Sequence, residues 1–121
     1  MNKGDTGKLG ELETARYLRK KGYNIVAANF HSRFGEIDII AENKKYLVFV
    51  EVKTRSPGQM FNPSDSVTVS KRKKIISTSN VFLSQNPTAL QPRFDIAEVI
   101  IEDETVKSIN LIENAFDITA Y

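Results

Sequence analysis

Glu51 and Lys53 lie two residues apart at the end of the longest apolar run in the chain, Tyr46-Leu47-Val48-Phe49-Val50. In a strand, side chains at i and i+2 leave the same face. A carboxylate and an ammonium therefore emerge together from a segment otherwise suited to burial, where charged groups need partners. Asp38 is the upstream candidate. Counting outward from the polar turn Glu42-Asn43-Lys44-Lys45, Ala41 opposes Tyr46 or Val48, and Asp38 lands near Glu51 to within a residue or two. Two carboxylates converging at adjacent strand ends suit Mg²⁺ or Mn²⁺, hard cations that take oxygen ligands. A lysine beside them can steer or help deprotonate an attacking water, and can offset negative charge as a phosphodiester breaks. An isolated E-x-K triplet is more often a structural ion pair at a sheet edge. The upstream aspartate across a tight turn is what favours a site.

Other polar residues carry weaker signals. Lys71-Arg72-Lys73-Lys74 is either a phosphate contact or a solvated helix face. Cations at a helix start oppose the dipole, which tilts the reading toward function. Arg55 and Gln59, just beyond the E-x-K strand, can touch a phosphate or order the following loop. Glu36, on the face of Asp38, is a candidate supporting acid or an ion-pair partner of Arg33 or Arg55. His31, the only histidine, is expected to be an exposed turn residue. Gly4, Gly7 and Gly10 form G-x-x-G-x-x-G, but no strand precedes them, which argues against a nucleotide-binding loop. Asp95 is expected in a structural pair, with Arg93 or Lys53.

These residues need elements to position them. A first helix is expected from Asp5 or Thr6 to Gly22, with Leu9, Leu12, Ala15 and Leu18 near helical spacing and Lys20-Lys21-Gly22 as its stop. Tyr23 to Phe30 is a strand candidate, followed by a turn over residues 31–35. Glu36 to Ala41 alternates, with Glu36, Asp38 and Ile40 on one face and Ile37, Ile39 and Ala41 on the other. Tyr46 to Lys53 is the strongest strand, apolar enough for cover on both faces. Thr54 to Asp65 holds Pro57, Gly58, Asn62 and Pro63 and is expected to be a loop, long enough to suggest a functional one. A second helix follows from about Ser70 to Asn86, and Pro87 and Pro92 bracket the next connection. Phe94 to Ile101 and Val106 to Ile112 are two more strands, joined across Asp103-Glu104. Glu113 to Tyr121 is ambiguous between a short helix and an extended end. The order αβββαββ predicts an α/β fold, a mixed sheet with helices packed on it and the second helix as a crossover.

Composition bounds the rest. The 121 residues fit one domain, and 40% hydrophobic with 26% charged residues is a globular balance. Seventeen Lys+Arg against fifteen Asp+Glu leave a net charge of +2, too small by itself to establish a nucleic-acid partner. The absence of cysteine excludes disulfides, thiolate catalysis and Cys-bound zinc. Charges at Lys3, Asp5, Lys8, Glu11 and Glu13 interrupt the start, so no signal-peptide core is expected there. The apolar run at Tyr46–Val50 is far too short for a bilayer. A cytoplasmic protein with no membrane partner is the expectation.

Gly35-Glu36-Ile37-Asp38-Ile39-Ile40, followed by Val48-Phe49-Val50-Glu51-Val52-Lys53-Thr54-Arg55, resembles the D…(D/E)-x-K signature of the restriction-endonuclease-like superfamily. More narrowly, the chain resembles the small bacterial YraN-like family of predicted endonucleases, relatives of archaeal Holliday junction resolvases. Gly7-Lys8-Leu9-Gly10-Glu11-Leu12-Glu13-Thr14-Ala15, Tyr17-Leu18, Gly22-Tyr23, Arg93-Phe94-Asp95 and Asn114-Ala115-Phe116 extend the match over nearly the whole chain. The resemblance implies a restriction-endonuclease-like fold, with Asp38 and Glu51 as metal-binding carboxylates, Lys53 as the catalytic lysine and Glu11 as the first-helix acid of the resolvase-like branch. The Val52 backbone carbonyl would join the metal ligands. Glu11 also lies beside the apolar stripe, with Ala15 and Leu18 at i+4 and i+7, and Gly10 leaves room for close backbone approach. The superfamily's usual proline before the first acid is absent, with Ile37 in its place.

The resemblance implies a metal-dependent endonuclease acting on DNA, including branched or recombination intermediates. Resolvases of that kind are dimers, which allows a homodimer here, although no dimer surface is legible in the sequence. The rival is a non-catalytic nucleic-acid-binding accessory protein of DNA repair or recombination, in which the same charges serve contact alone.

Overall fold

A computed structural model describes residues 3–58 and 67–117. The elements are α1 (Lys3–Lys20), β1 (Asn24–Ser32), β2 (Gly35–Glu42), β3 (Tyr46–Arg55), α2 (Val69–Gln85), β4 (Gln91–Glu102) and β5 (Thr105–Phe116). The order αβββαββ is the one the sequence pattern predicts. The five strands form one sheet in chain order, and only the β3–β4 pair is parallel. That pairing requires a crossover, and α2 supplies it.

The two faces of β3 are both covered, which explains its continuous apolar sequence. Leu47 and Phe49 face the α2 side and pack with Ile40, Ile75, Phe82, Phe94, Ile96 and Phe116. Val48 and Val50 face the α1 side with Leu18, Tyr23, Ile39, Ala41 and Ala97. On the α2 side, aromatic rings form a chain: Phe30–Phe82 at 5.2 Å, Phe82–Phe49 at 6.1 Å, Phe49–Phe94 at 5.4 Å and Phe94–Phe116 at 5.2 Å between centroids. Edge and offset contacts of this kind add to plain area burial.

Local chemistry sets the ends. Gly22, at φ +94, closes α1, with Tyr23 N–H donating to the Leu18 carbonyl at 3.0 Å. Asn43 Oδ1 accepts from Lys45 N–H and Tyr46 N–H and so builds the β2–β3 turn. Thr68 caps α2 by accepting from Lys71 N–H. Asp103 and Glu104 both have positive φ, as a tight hairpin turn between twisted strands requires.

Several expectations shift. Helix α1 is already formed at Lys3, ahead of Asp5 and Thr6. The turn after β1 shrinks to Arg33-Phe34, so His31 is a strand residue opposite Glu36. Strand β4 begins before Pro92, which lies among its first residues, where a missing N–H is tolerated. The ambiguous segment from Glu113 is extended through Phe116 as the end of β5. Of the loop after β3, residues 59–66 lie outside the described residues.

The strict alternation expected for β2 is broken. Ile37 packs with Ile40 on the α2 side, whereas Ile39 and Ala41 pack on the α1 side. The partner strand breaks at the matching place, since Ala27 and Phe30 both join the α2-side cluster. Between them, Asn29 has φ +53, and the register around it, Ala28↔Ile39 and Phe30↔Ile37, sets it opposite Asp38. A left-handed residue interrupts the pleat, so the two-residue period cannot run through this point.

Candidate metal and phosphate site

The interruption at Asn29 and Asp38 marks where the sheet opens. The β2–β3 register runs from Glu42↔Leu47 to Ile39↔Val50 and ends there. Beyond it the Asp38 side chain takes over, with Oδ2 accepting from Val52 N–H at 2.8 Å. Asp38 and Glu51, on neighbouring strands, thereby meet at the mouth of a gap rather than within a continuous ladder.

Helix α1 delivers Glu11 to this gap. Gly10 makes the approach feasible: a Cβ there would lie 2.5 Å from Thr54 Cγ2 and 3.5 Å from Val52 Cγ1. Thr14 Oγ1 donates to the Gly10 carbonyl at 2.7 Å and holds the same turn. Carboxylate oxygens of Glu11, Glu36 and Asp38 all lie within 4.8 Å of one another. The Asn29 amide, its nitrogen assigned by its partners, donates to Glu36 Oε1 at 3.0 Å and Glu11 Oε1 at 3.2 Å.

The electrostatics follow from this crowding. Burial, then the neighbouring Glu51 charge, pushes Asp38 up to about 7, against the stabilising hydrogen bond from Val52. Glu11 is raised as well, chiefly by burial, although it hydrogen-bonds with Asp38. Three convergent carboxylates are a donor set of the kind a hard divalent cation takes, so Glu11, Glu36 and Asp38 could hold Mg²⁺ or Mn²⁺.

Glu51 is held differently. It is only 7% exposed, and its Oε1 lies 2.6 Å from Lys71 Nζ and 3.6 Å from Lys53 Nζ. Burial and the adjacent Lys71 pull Lys53 below the ordinary lysine range. Lys71, despite burial, is held above it by Glu51. These groups border a cleft of about 380 Å³ between β2, β3 and the start of α2, lined by Glu36, Asp38, Glu51, Lys71 and Lys74 among others.

The structure therefore gathers Glu11, Asp38, Glu51 and Lys53, but divides them. The three-carboxylate group contains Glu36 in place of Glu51. Val52 contributes its N–H to Asp38. Glu36 lies 3.7 Å from His31 Nδ1, its neighbour across the β1–β2 pair.

The basic run at the start of α2 also divides, because successive helical residues point about 100° apart. Lys71 and Lys74 face the cleft. Arg72 Nε donates to the Val67 carbonyl at 2.8 Å, with its guanidinium 5.6 Å from the Phe116 ring centroid. Lys73 is exposed to solvent. Of the four cations, Lys71 and Lys74 are thus the two beside the cleft. Arg55, at the end of β3, donates to the Thr54 carbonyl at 3.0 Å and is not among the residues lining the cleft. Gln59 lies outside the described residues.

Comparison with known proteins places the chain. The profile described as "Uncharacterised protein family UPF0102" matches residues 10–99. The chain belongs to the UPF0102 family. It is similar to a UPF0102 protein of Caldanaerobacter subterraneus, 45% identical over 119 residues that cover 96% of this chain and 98% of that one. It is also similar to UPF0102 proteins of Lachnoclostridium phytofermentans, 41% identical with 97% of each chain covered, and of Caldicellulosiruptor saccharolyticus, 39% identical with 96% and 100% covered. The YraN-like resemblance holds at this level.

Every charged residue around the cleft, from Glu11 to Lys74, lies inside the segment matched to UPF0102. Two residues beside the site carry little signal in the sequence. Asn29 carries no charge or motif, and its signal is its left-handed backbone. Lys71 was one cation among four, and only helical phase separates it from Arg72. The Arg93–Asp95 pair expected in this UPF0102 chain is present and structural. Arg93 Nε and Nη2 donate to the Asp95 carboxylate at 2.8–3.2 Å, and Nη2 donates to Tyr23 Oη at 2.7 Å. Among the described residues, no helix is long and apolar enough to cross a membrane.

Proposed function

We propose that this UPF0102 protein is a metal-dependent endonuclease of the restriction-endonuclease-like type, hydrolysing DNA phosphodiester bonds, with branched or recombination intermediates as the substrates to examine first. The observation that carries the reading is the gap between β2 and β3, where Glu11, Glu36 and Asp38 approach within 4.8 Å beside the Glu51–Lys53 pair. Ion pairs at an ordinary sheet edge would not need three carboxylates held together against repulsion, nor a glycine opening the way for one of them.

In this reading Asp38, Glu11 and Glu36 hold Mg²⁺ or Mn²⁺, with Glu51 and the Val52 carbonyl as the adjoining donors. A bound ion would supply Lewis acidity at the scissile phosphate. Lys53, half-buried and with a depressed pKa, orients the attacking water and offsets the charge that develops on the phosphate. Lys74, exposed at the cleft wall, contacts the DNA backbone, which fixes position and carries no sequence information. Cutting both strands of a symmetric substrate would use a homodimer.

The test is a cleavage screen over linear, flapped and four-way DNA with Mg²⁺ and with Mn²⁺, run beside Glu51→Ala. Cutting by the parent that depends on the cation and fails in the variant is the expected result. DNA binding with no cutting under any condition would instead favour a non-catalytic accessory protein of DNA repair or recombination.

A further inference from the structure

Lys71 occupies an unusual position for a cation. It lies in the first turn of α2, where the helix dipole disfavours positive charge. Its ammonium is nevertheless 2.6 Å from Oε1 of Glu51, a carboxylate that is 7% exposed. Lys53 approaches the same oxygen from β3, at 3.6 Å. One buried carboxylate thus holds two ammoniums, while among the described ion pairs the three carboxylates close by have only the His31 imidazole, 3.7 Å from Glu36.

The two lysines are not equivalent. Lys53 is 19% exposed and rises from β3, the middle strand, so its head group has little room to leave. Lys71 is 41% exposed and reaches Glu51 along a flexible four-carbon stem from the cleft wall. It can swing into solvent without disturbing the core, and Lys74, one turn along, already lines the same cleft.

We infer that Lys71 is a resident counter-ion of Glu51 that a divalent cation displaces, and that the freed ammonium then becomes a DNA-phosphate contact beside Lys74. The inference rests on the proposed metal site. A doubly charged ion entering the carboxylate group repels Lys71 and competes with it for Glu51. Release of Lys71 adds a positive charge to the cleft wall when the cation arrives, so loading the metal strengthens the grip on the DNA backbone.

The test uses the full chain and Lys71→Met, which keeps most of the stem and removes the charge. Calorimetric titration with Mn²⁺ is expected to show several-fold tighter binding in the variant, because no internal cation must be displaced. Loss of any nearby positive charge could contribute to that, so a second measurement reads the ammonium itself. Binding to a short blunt DNA duplex is followed against salt, with Ca²⁺ or with EDTA. The parent's log–log slope is expected to steepen by about one unit with Ca²⁺, as one added phosphate contact requires. The slope for Lys71→Met is expected to stay the same in both. Equal Mn²⁺ affinity in parent and variant, or a parent slope indifferent to Ca²⁺, overturns the inference and leaves the metal site standing. A parent that binds no Mn²⁺ at all overturns the metal site and the inference together.

Discussion

Val52 N–H donates to the side chain of Asp38, not to the backbone of β2, at 2.8 Å. That single substitution of a carboxylate for a backbone carbonyl ties the first acid to the E-x-K strand, and the register of the two strands stops just before it. Asp38 is thereby fixed in rotamer and depth, close to Glu51 and Glu11. The cost is an ionisable group buried among like charges.

The division of the site predicts distinct metal phenotypes. Asp38→Asn and Glu36→Gln each remove an anionic donor from the three-carboxylate group and should weaken Mn²⁺ binding, Asp38→Asn the more strongly because Asp38 is part-buried whereas Glu36 is exposed. Lys53→Met should leave Mn²⁺ affinity equal or tighter while any cleavage falls by on the order of 10²–10⁴, as for a positioned catalytic group. Calorimetric titration beside single-turnover cleavage measures both. Loss of metal binding in folded Lys53→Met would mean that this lysine supports the site's structure.

Asp38 also sets a pH dependence. Its folded value, about 7, lies above its ordinary 3.8, so the native state binds this proton more tightly than the unfolded chain does. The stability it contributes is fully present below the ordinary value and is lost as the pH rises through about 7. Glu11, also raised, acts in the same direction. Metal-free Asp38→Asn should therefore gain melting temperature relative to the parent as the pH rises from about 5 to about 8. Mn²⁺ should restore the parent at the upper end. A difference between parent and variant that does not change with pH would show that Asp38 ionises normally.

Gly10 should resist substitution for a steric reason that can be relieved. In Gly10→Ala the new Cβ meets Thr54 Cγ2 at 2.5 Å. Overpacking of this kind costs about 1–3 kcal/mol, against a gain of about 1 kcal/mol in helix propensity. Thr54→Ser removes the offending methyl. The double variant should recover most of the lost stability and Mn²⁺ affinity, a coupling that a thermodynamic cycle from denaturant melts will show. Additive effects would place the cost of Gly10→Ala elsewhere.

The Arg93–Asp95 pair should matter for folding and not for the cleft. Asp95 is fully buried, accepts from Arg93 and from Asn114 N–H, and has its pKa raised by burial against those hydrogen bonds. Asp95→Ala leaves the buried Arg93 guanidinium with only the exposed Glu113 carboxylate, at 3.6 Å, and loss of a buried partner costs about 3–5 kcal/mol. Urea melts should show that loss while the surviving folded fraction binds Mn²⁺ like the parent. Metal affinity that fell in proportion would tie this pair to the site.

The element order, the hairpin between β2 and β3 and the pairing of Asp38 with the E-x-K strand were all legible in the sequence. They depend on interactions between near neighbours: apolar periodicity, turn residues such as Asn43, and a short polar connection that leaves little freedom of register. The same local logic identified Gly10 as a point of close approach. Three things were decided only in three dimensions. A left-handed Asn29 on β1 interrupts the pleat opposite Asp38 and turns Ile37 to the other face, which no two-residue period can anticipate. The phase of α2 over the sheet sends Lys71 into the cleft and Arg72 away from it, although the two are adjacent cations in the chain. The packing of α1 across the gap brings Glu11 to Glu36 and Asp38, while Lys71 and Lys53 hold Glu51. The sequence by itself determined which acids and bases could meet. Which carboxylate faces which cation was settled by the crossing of helices and sheet, because charge partners are chosen by distance across elements and not by separation along the chain.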